Sequence, residues 1–246
     1  MARSLLLTQT VVIFITRSCT LIKLIMKSIT SYWIKRILFL CIVIFISYLL
    51  YLNSIVKAKF SSDIESIENV IQVQYSFDDY PKDLVNMLLL VEDQSFFNHS
   101  GVDFKEILRV LYGYLFDEKE LRGASTITQQ LIKNSLLSRD KTLTRKTKES
   151  LMAILLELSY DKKFILERYM NTVYLAQQGS TAFHGFASGS LHYFNKDVSS
   201  LNLKEMATLV ALLKGPSYYN PANFPDRLKK RVEMIMSMHK DFKRII

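Results

Sequence analysis

Two glutamates stand where a carboxylate can do chemistry. Glu92, followed by Asp93, ends the segment DDYPKDLVNMLLLVED (78–93), in which Met87 to Val91 are all apolar. Partial removal from water favours the neutral form of a carboxylic acid and makes its anion a better general base. Phe96 and Phe97 can anchor the loop that follows, and His99 and Gly101 can shape it. Glu149 lies in KTLTRKTKE (141–149), where Lys141, Arg145 and Lys148 recur at i, i+4 and i+7 and form one basic stripe on a helix. Glu149 follows Arg145 by four residues and can pair with it. A carboxylate among cations stays ionised, which suits it to hold a cation or to orient a lysine beside a diphosphate. Between the two glutamates runs RGASTITQQLIKN (122–134). Thr126 and Gln129 fit a helix-start capping box, and a helix N-terminus with Ser and Thr donors favours an anion. Thr126, Gln130 and Lys133 share one helix face and Ile127 and Leu131 another. One stripe is then free to pack and the other presents hydroxyl, amide and ammonium groups. Taken singly, each pattern also describes a polar helix end, a capped amphipathic helix or a solvated charge run.

The elements that must position these residues read as helices. Besides 78–93, with Pro81 near its first turn, they are FKEILRVLYGYLF (104–116), STITQQLIKNSLL (125–137), TRKTKESLMAILLELSY (144–160), KKFILERYMNTVYL (162–175) and LKEMATLVALLKG (203–215), the last ended by Gly215-Pro216. IENVIQVQYS (67–76) reads as a short extended segment, and a Gly/Ser-bearing region follows Leu175.

Upstream, ILFLCIVIFISYLLYL (37–52) carries no charge. With its flanks it reaches the roughly 20 residues that cross a bilayer core. Trp33, Tyr48 and Tyr51 suit the interfaces, and Arg17, Lys23, Lys27, Lys35 and Arg36 precede the run, which places the N-terminus in the cytoplasm and everything after about residue 56 outside. The expected organisation is a cytoplasmic segment over 1–31, a transmembrane anchor over 32–56, a linker over 57–74 and a globular domain over 75–246. Leu5 to Ile15 is apolar but short, and contains Thr and Gln. Translation starting at Met26, with its lead-in MKSITSYWIKR, is the favoured expectation over a signal-like segment.

In order and spacing, Glu92-Asp93…Phe96…His99…Gly101, then Gly123…Ser125-Thr126-Ile127-Thr128-Gln129-Gln130-Leu131…Lys133-Asn134, then Arg145-Lys146…Glu149, resemble the motifs of the peptidoglycan glycosyltransferase family. This is the transglycosylase module of class A penicillin-binding proteins and of monofunctional enzymes. ILERYMNTVYL (165–175), which contains Asn171, matches a fourth motif, and Leu203 to Pro221 a fifth. The resemblance covers roughly residues 75–225, and its second motif is highly specific. Two positions depart from the family: Ala176 stands where Gly is usual, which bears on a local turn, and Asn195 replaces the Gly of YFGK.

The resemblance implies a mainly α, lysozyme-like domain of two lobes around a cleft. Its substrate would be lipid II, a disaccharide-pentapeptide on undecaprenyl diphosphate, added to a growing glycan strand by a single inverting displacement. Glu92 would be the general base. Lys133, Lys141, Arg145 and Lys148 would meet the diphosphate, Ser125 and Gln130 would line the site, and Glu149 would orient the cations or share a divalent cation such as Mg2+. Asp93, Phe96, His99, Gly123, Thr126, Asn134 and Asn171 would shape the motifs. The segment 104–116 would lean on or into the membrane, and other partners would be transpeptidases or further wall-synthesis proteins.

Composition agrees with this and excludes little by itself. An apolar fraction of 49%, with seven Gly and four Pro, argues against disorder and for helices. The net charge of +9 fits an anionic partner, which the motifs make a lipid diphosphate and not nucleic acid. The two cysteines, Cys19 and Cys41, both lie in the N-terminal apolar region, so the rest of the chain needs no disulfide. No penicillin-binding serine signature follows the motifs; Ser138-x-x-Lys141 has the spacing but lies within the glycosyltransferase region, so the chain reads as monofunctional. A lytic muramidase would share the fold but has no use for the basic stripe or the STITQQ helix, and an inactive wall-synthesis scaffold has no use for both glutamates.

Overall fold

The computed structural model describes the backbone of residues 2–61, 75–116, 125–138, 140 and 142–245, with side chains from residue 32 to residue 243 within those ranges. Gly123, Lys141 and most of the expected extended segment 67–76 lie outside the described residues. So do residues 62–74 of the expected linker.

The chain divides into two units, Met1–Tyr51 and Leu52–Ile246. The first consists of helix α1, Ala2–Ser61, up to Tyr51. Its stretch from Tyr32 is long and apolar enough to cross a membrane, by length and composition. The same helix continues into the second unit, where Leu52, Val56 and Phe60 recur every four residues and are buried in the core. The expected boundary at 56 thus cuts through a helix whose last turns belong to the globular unit.

The second unit is mainly helical: α2 (Lys82–Glu92), α3 (Phe104–Phe116), α4 (Ile127–Leu136), α5 (Leu143–Ser159), α6 (Lys162–Thr172), α7 (Phe186–Phe194), α8 (Leu203–Leu213) and α9 (Pro225–Ile245). Helix α8 is apolar on nearly every face, with Ala207, Leu209, Val210, Ala211 and Leu212 fully buried, as a central helix must be. It packs on α2 and α9, while α4 packs on α5 and α6, and one continuous apolar core joins both groups. The helix starts follow local chemistry. Thr142 accepts from Arg145 N, Asp161 from Phe164 N, and Asn202 forms a capping box with Glu205.

Three features differ from the sequence reading. The helix expected to reach Leu175 ends at Thr172; Tyr174–Gln178 (β1) pairs with Thr181–His184 (β2) in an antiparallel hairpin. The β-branched and aromatic run Thr172-Val173-Tyr174 favours an extended chain, and Leu175 is drawn into the core against Gly189 of α7. Helix α9 went unread, although Leu228, Val232, Ile235 and His239 form its buried stripe. Finally, Ala176 occupies no turn. It is a buried residue of β1, where a small side chain fits and no left-handed backbone is needed. Asn195 does adopt the left-handed conformation, φ 51°, as the C-cap of α7, a position Asn tolerates.

Candidate active site

Helix α4 organises the site from its N-terminus. Thr126 is not a presented hydroxyl, as its face assignment suggested, but the buried N-cap. Its Oγ1 accepts from Gln129 N and donates to the Gly101 carbonyl at 2.6 Å, while Gln129 Oε1 accepts from Thr126 N at 3.1 Å. Asp93, at the end of α2, accepts from Ile127 N at 2.9 Å, so its carboxylate sits on the positive end of α4. His99 Nε2 lies 3.1 Å from both Asp93 oxygens. On its other side, Nδ1 is 4.0 Å from Glu157, which accepts from Thr128 Oγ1 at 2.6 Å and pairs with Lys162 at 2.6 Å. Phe96 is fully buried, with the Lys162 ammonium 4.4 Å from its ring centre. These groups tie the loop 93–101 to α4 and α5 and fix where α2 ends, which is where Glu92 stands.

Glu92 is half-buried, and its Oε2 accepts from Gln130 Nε2 at 2.9 Å. The Gln130 carbonyl in turn accepts from the Tyr169 hydroxyl at 3.0 Å. Tyr169 is buried on α6; burial first, then the nearby carboxylates of Glu92 and Asp93, hold its phenol protonated far above the usual range. No cation pairs with Glu92 among the described residues.

Glu149 has the opposite surroundings. It is 1% exposed, and its two oxygens are taken by Arg145 Nη1 at 2.6 Å and Lys146 Nζ at 2.5 Å. Lys146 Nζ also donates to Ser125 Oγ at 2.7 Å, joining α5 to the residue before the α4 cap. Among the described residues the cations paired with Glu149 are Arg145, a member of the expected stripe, and Lys146, which lies beside it. Lys148 is half-buried and makes no ion pair among the described residues, and Lys133 and Asn134 are exposed on α4. Each Glu149 oxygen thus carries one cation, and the carboxylate fixes where both stand. The geometry fits Glu149 as an orienting group for these two cations.

Asn171, the remaining motif residue, is structural. Buried on α6, it accepts from Tyr75 N at 3.0 Å and from the Tyr80 hydroxyl at 2.9 Å, and donates to Tyr75 O at 2.8 Å. Three residues near the site carried no role in the sequence reading. Lys146 stood inside a quoted motif but off the stripe. Tyr169 stood inside the fourth quoted motif with no role of its own. Glu157 was a lone acid in the apolar run MAILLELS, which is itself a signal, since an acid on a packing face needs a buried partner.

The family model described as Transglycosylase matches residues 60–240. The chain is 39% identical over 178 residues to penicillin-binding protein 1B of Haemophilus influenzae, covering 72% of this chain and 23% of that one. It is 42% identical over 161 residues to penicillin-binding protein 1B of Vibrio cholerae, covering 65% and 21%. To penicillin-binding protein 1A of Neisseria lactamica it is 45% identical over 159 residues, covering 65% and 19%. The chain thus spans less than a quarter of the length of these relatives, and the residues matched by the family model contain both glutamates and the helices that hold them. The motifs, the helical fold that assembles them and a match over most of the chain agree: the chain belongs to the transglycosylase family, the peptidoglycan glycosyltransferases of cell-wall synthesis.

Proposed function

We propose that this chain polymerises lipid II into β-1,4-linked glycan on the outer face of a bacterial cytoplasmic membrane. The observation that carries the reading is the contrast between its two carboxylates: among the described residues Glu92 is held by a single neutral amide and Glu149 is neutralised by two cations. Glu92 takes the proton of the acceptor's 4-hydroxyl as that oxygen bonds to the donor's anomeric carbon. The bond from that carbon to the diphosphate breaks, the electron pair leaves with the lipid diphosphate, and the α-linked donor becomes a β-linked product. Arg145 and Lys146, oriented by Glu149 and Ser125, meet the charge that grows on the leaving group, with Lys148 and Lys133 as further cations. A divalent cation such as Mg2+ would be held beside the substrate diphosphate, with Glu149 as the carboxylate to share it, and would supply further positive charge for the leaving group.

The test is incubation of purified protein with labelled lipid II. Glycan strands and free undecaprenyl diphosphate are expected, whereas cleavage of finished glycan without polymerisation would establish the muramidase reading instead. In the same assay Lys146→Ala should lower the rate by about 10²-fold, the scale of one lost charge-stabilising contact. Lys163→Ala should matter little, since Lys163 pairs with exposed Asp78. Equal, small effects at both positions would remove the diphosphate role.

The apolar stretch from Tyr32 supplies the anchor, with the basic flank inside. Helix α3 exposes Phe104, Leu108, Tyr112, Leu115 and Phe116, each at least 60%, which suits contact with lipid. A reporter fused after Ile246 should be active only outside the cytoplasm; activity inside would invert the topology. Transpeptidases and other wall-synthesis proteins are the partners this placement suits.

A further inference from the structure

The bond between Gln130 and Glu92 works in only one orientation of the amide. Turned over, Gln130 would set its carbonyl oxygen against the Glu92 carboxylate, and two acceptors with no proton between them repel. What selects the productive orientation lies behind it. The Tyr169 hydroxyl donates to Gln130 Oε1 at 3.0 Å, which leaves Nε2 to donate to Glu92 Oε2 at 2.9 Å. Tyr169 is 1% exposed, so no bulk water replaces it as a donor, and burial keeps its phenol protonated and able to donate. The hydrogen bond of the phenol goes to Gln130, while Glu92 and Asp93 stand near enough to act on it electrostatically.

We infer that Tyr169 is a positioning residue, which acts through Gln130 to aim the Glu92 carboxylate at the acceptor hydroxyl. The inference rests on the proposal that Glu92 is the base. Its content is that a hydroxyl on α6, one side chain removed from the reacting atoms, sets the catalytic rate and leaves substrate affinity alone. Deleting the hydroxyl frees the amide to turn over. Deleting the amide disconnects the hydroxyl from the carboxylate altogether, so the two deletions must not add.

The experiment measures kcat and KM for lipid II polymerisation with full-length protein in detergent, in wild type, Tyr169→Phe, Gln130→Met, the double variant and Glu92→Gln. Tyr169→Phe should lower kcat about tenfold, the scale of one buried hydrogen-bonding partner lost, with KM within about twofold. The double variant should match Gln130→Met within about twofold. Tyr80→Phe removes another buried hydroxyl, one that donates to Asn171 away from Glu92, and should lower the melting temperature without changing kcat. Full kcat in Tyr169→Phe while Glu92→Gln is inactive would overturn the relay and leave the base in place. Losses that multiply in the double variant would also overturn it. An active Glu92→Gln protein would overturn the base assignment and the relay with it.

Discussion

Glu92→Gln should abolish polymerisation, with a loss of about 10³–10⁴-fold that reflects removal of a general base and little else. A sugar hydroxyl is a poor nucleophile, so its proton must leave as the new bond forms, and the acceptor of that proton must be an anion within reach. The replacement amide has nearly the same shape and still offers an oxygen to Gln130 Nε2, so that hydrogen bond survives. Asp93, which ties the end of α2 to α4 through Ile127 N and His99, is untouched. Folding and substrate binding should therefore stay near wild type, as read by thermal unfolding and by retention of labelled lipid II. Glu149→Gln would be a weaker test. It leaves Arg145 and Lys146 facing an uncharged group in a buried place, so lost activity there mixes lost chemistry with disturbed structure. Substantial polymerisation by folded Glu92→Gln protein would remove the central step of the proposed mechanism.

The parts of this site that were legible from sequence are those written in local chemistry. A capping box is a four-residue rule, and Thr126 with Gln129 forms one. The pairing of Arg145 with Glu149 is an i, i+4 rule, and it also holds. The parts that were not legible depend on groups brought together from far along the chain. Nothing near Tyr169 in sequence says that its hydroxyl meets Gln130, 39 residues away. The stripe of Lys141, Arg145 and Lys148 supplies Arg145 to Glu149, while the Lys146 side chain is held by Ser125 as well. That contact selects Lys146, one position off the stripe, as the second partner of Glu149. The fold shows the same division. Periodicity located the helices that α8 and α2 build into the core, but the end of α6 was decided by Leu175 packing against Gly189, a tertiary contact that overrides a helical pattern.

Gly101→Ala should be among the most destabilising single changes in the chain, costing about 3 kcal/mol or more. Two independent penalties fall on it. Its φ is +89°, a conformation that L side chains rarely adopt, and a Cβ built there lies 2.6 Å from the Ala153 carbonyl carbon and oxygen and 2.8 Å from Ile154 N. Those are backbone atoms in the middle of α5, and Ala153 itself is fully buried, so no flexible side chain can give way. The chain at 101 is also held from a third direction, because its carbonyl accepts from the Thr126 hydroxyl at 2.6 Å. Any shift that relieves the overlap pulls on the cap of α4, and through the loop on Asp93 and Glu92. Gly179→Ala provides the comparison. Its φ is +59° in the hairpin turn, and a Cβ there meets nothing within 4 Å, so only the conformational penalty applies, about 1 kcal/mol. Thermal unfolding of the two variants should separate them by several degrees, since each kcal/mol moves the midpoint of a domain this size by roughly 2–4 °C. If both variants melt together, the close approach of the loop to α5 is not what fixes glycine at this position, and the seam that holds Glu92 over α4 is softer than its contacts imply.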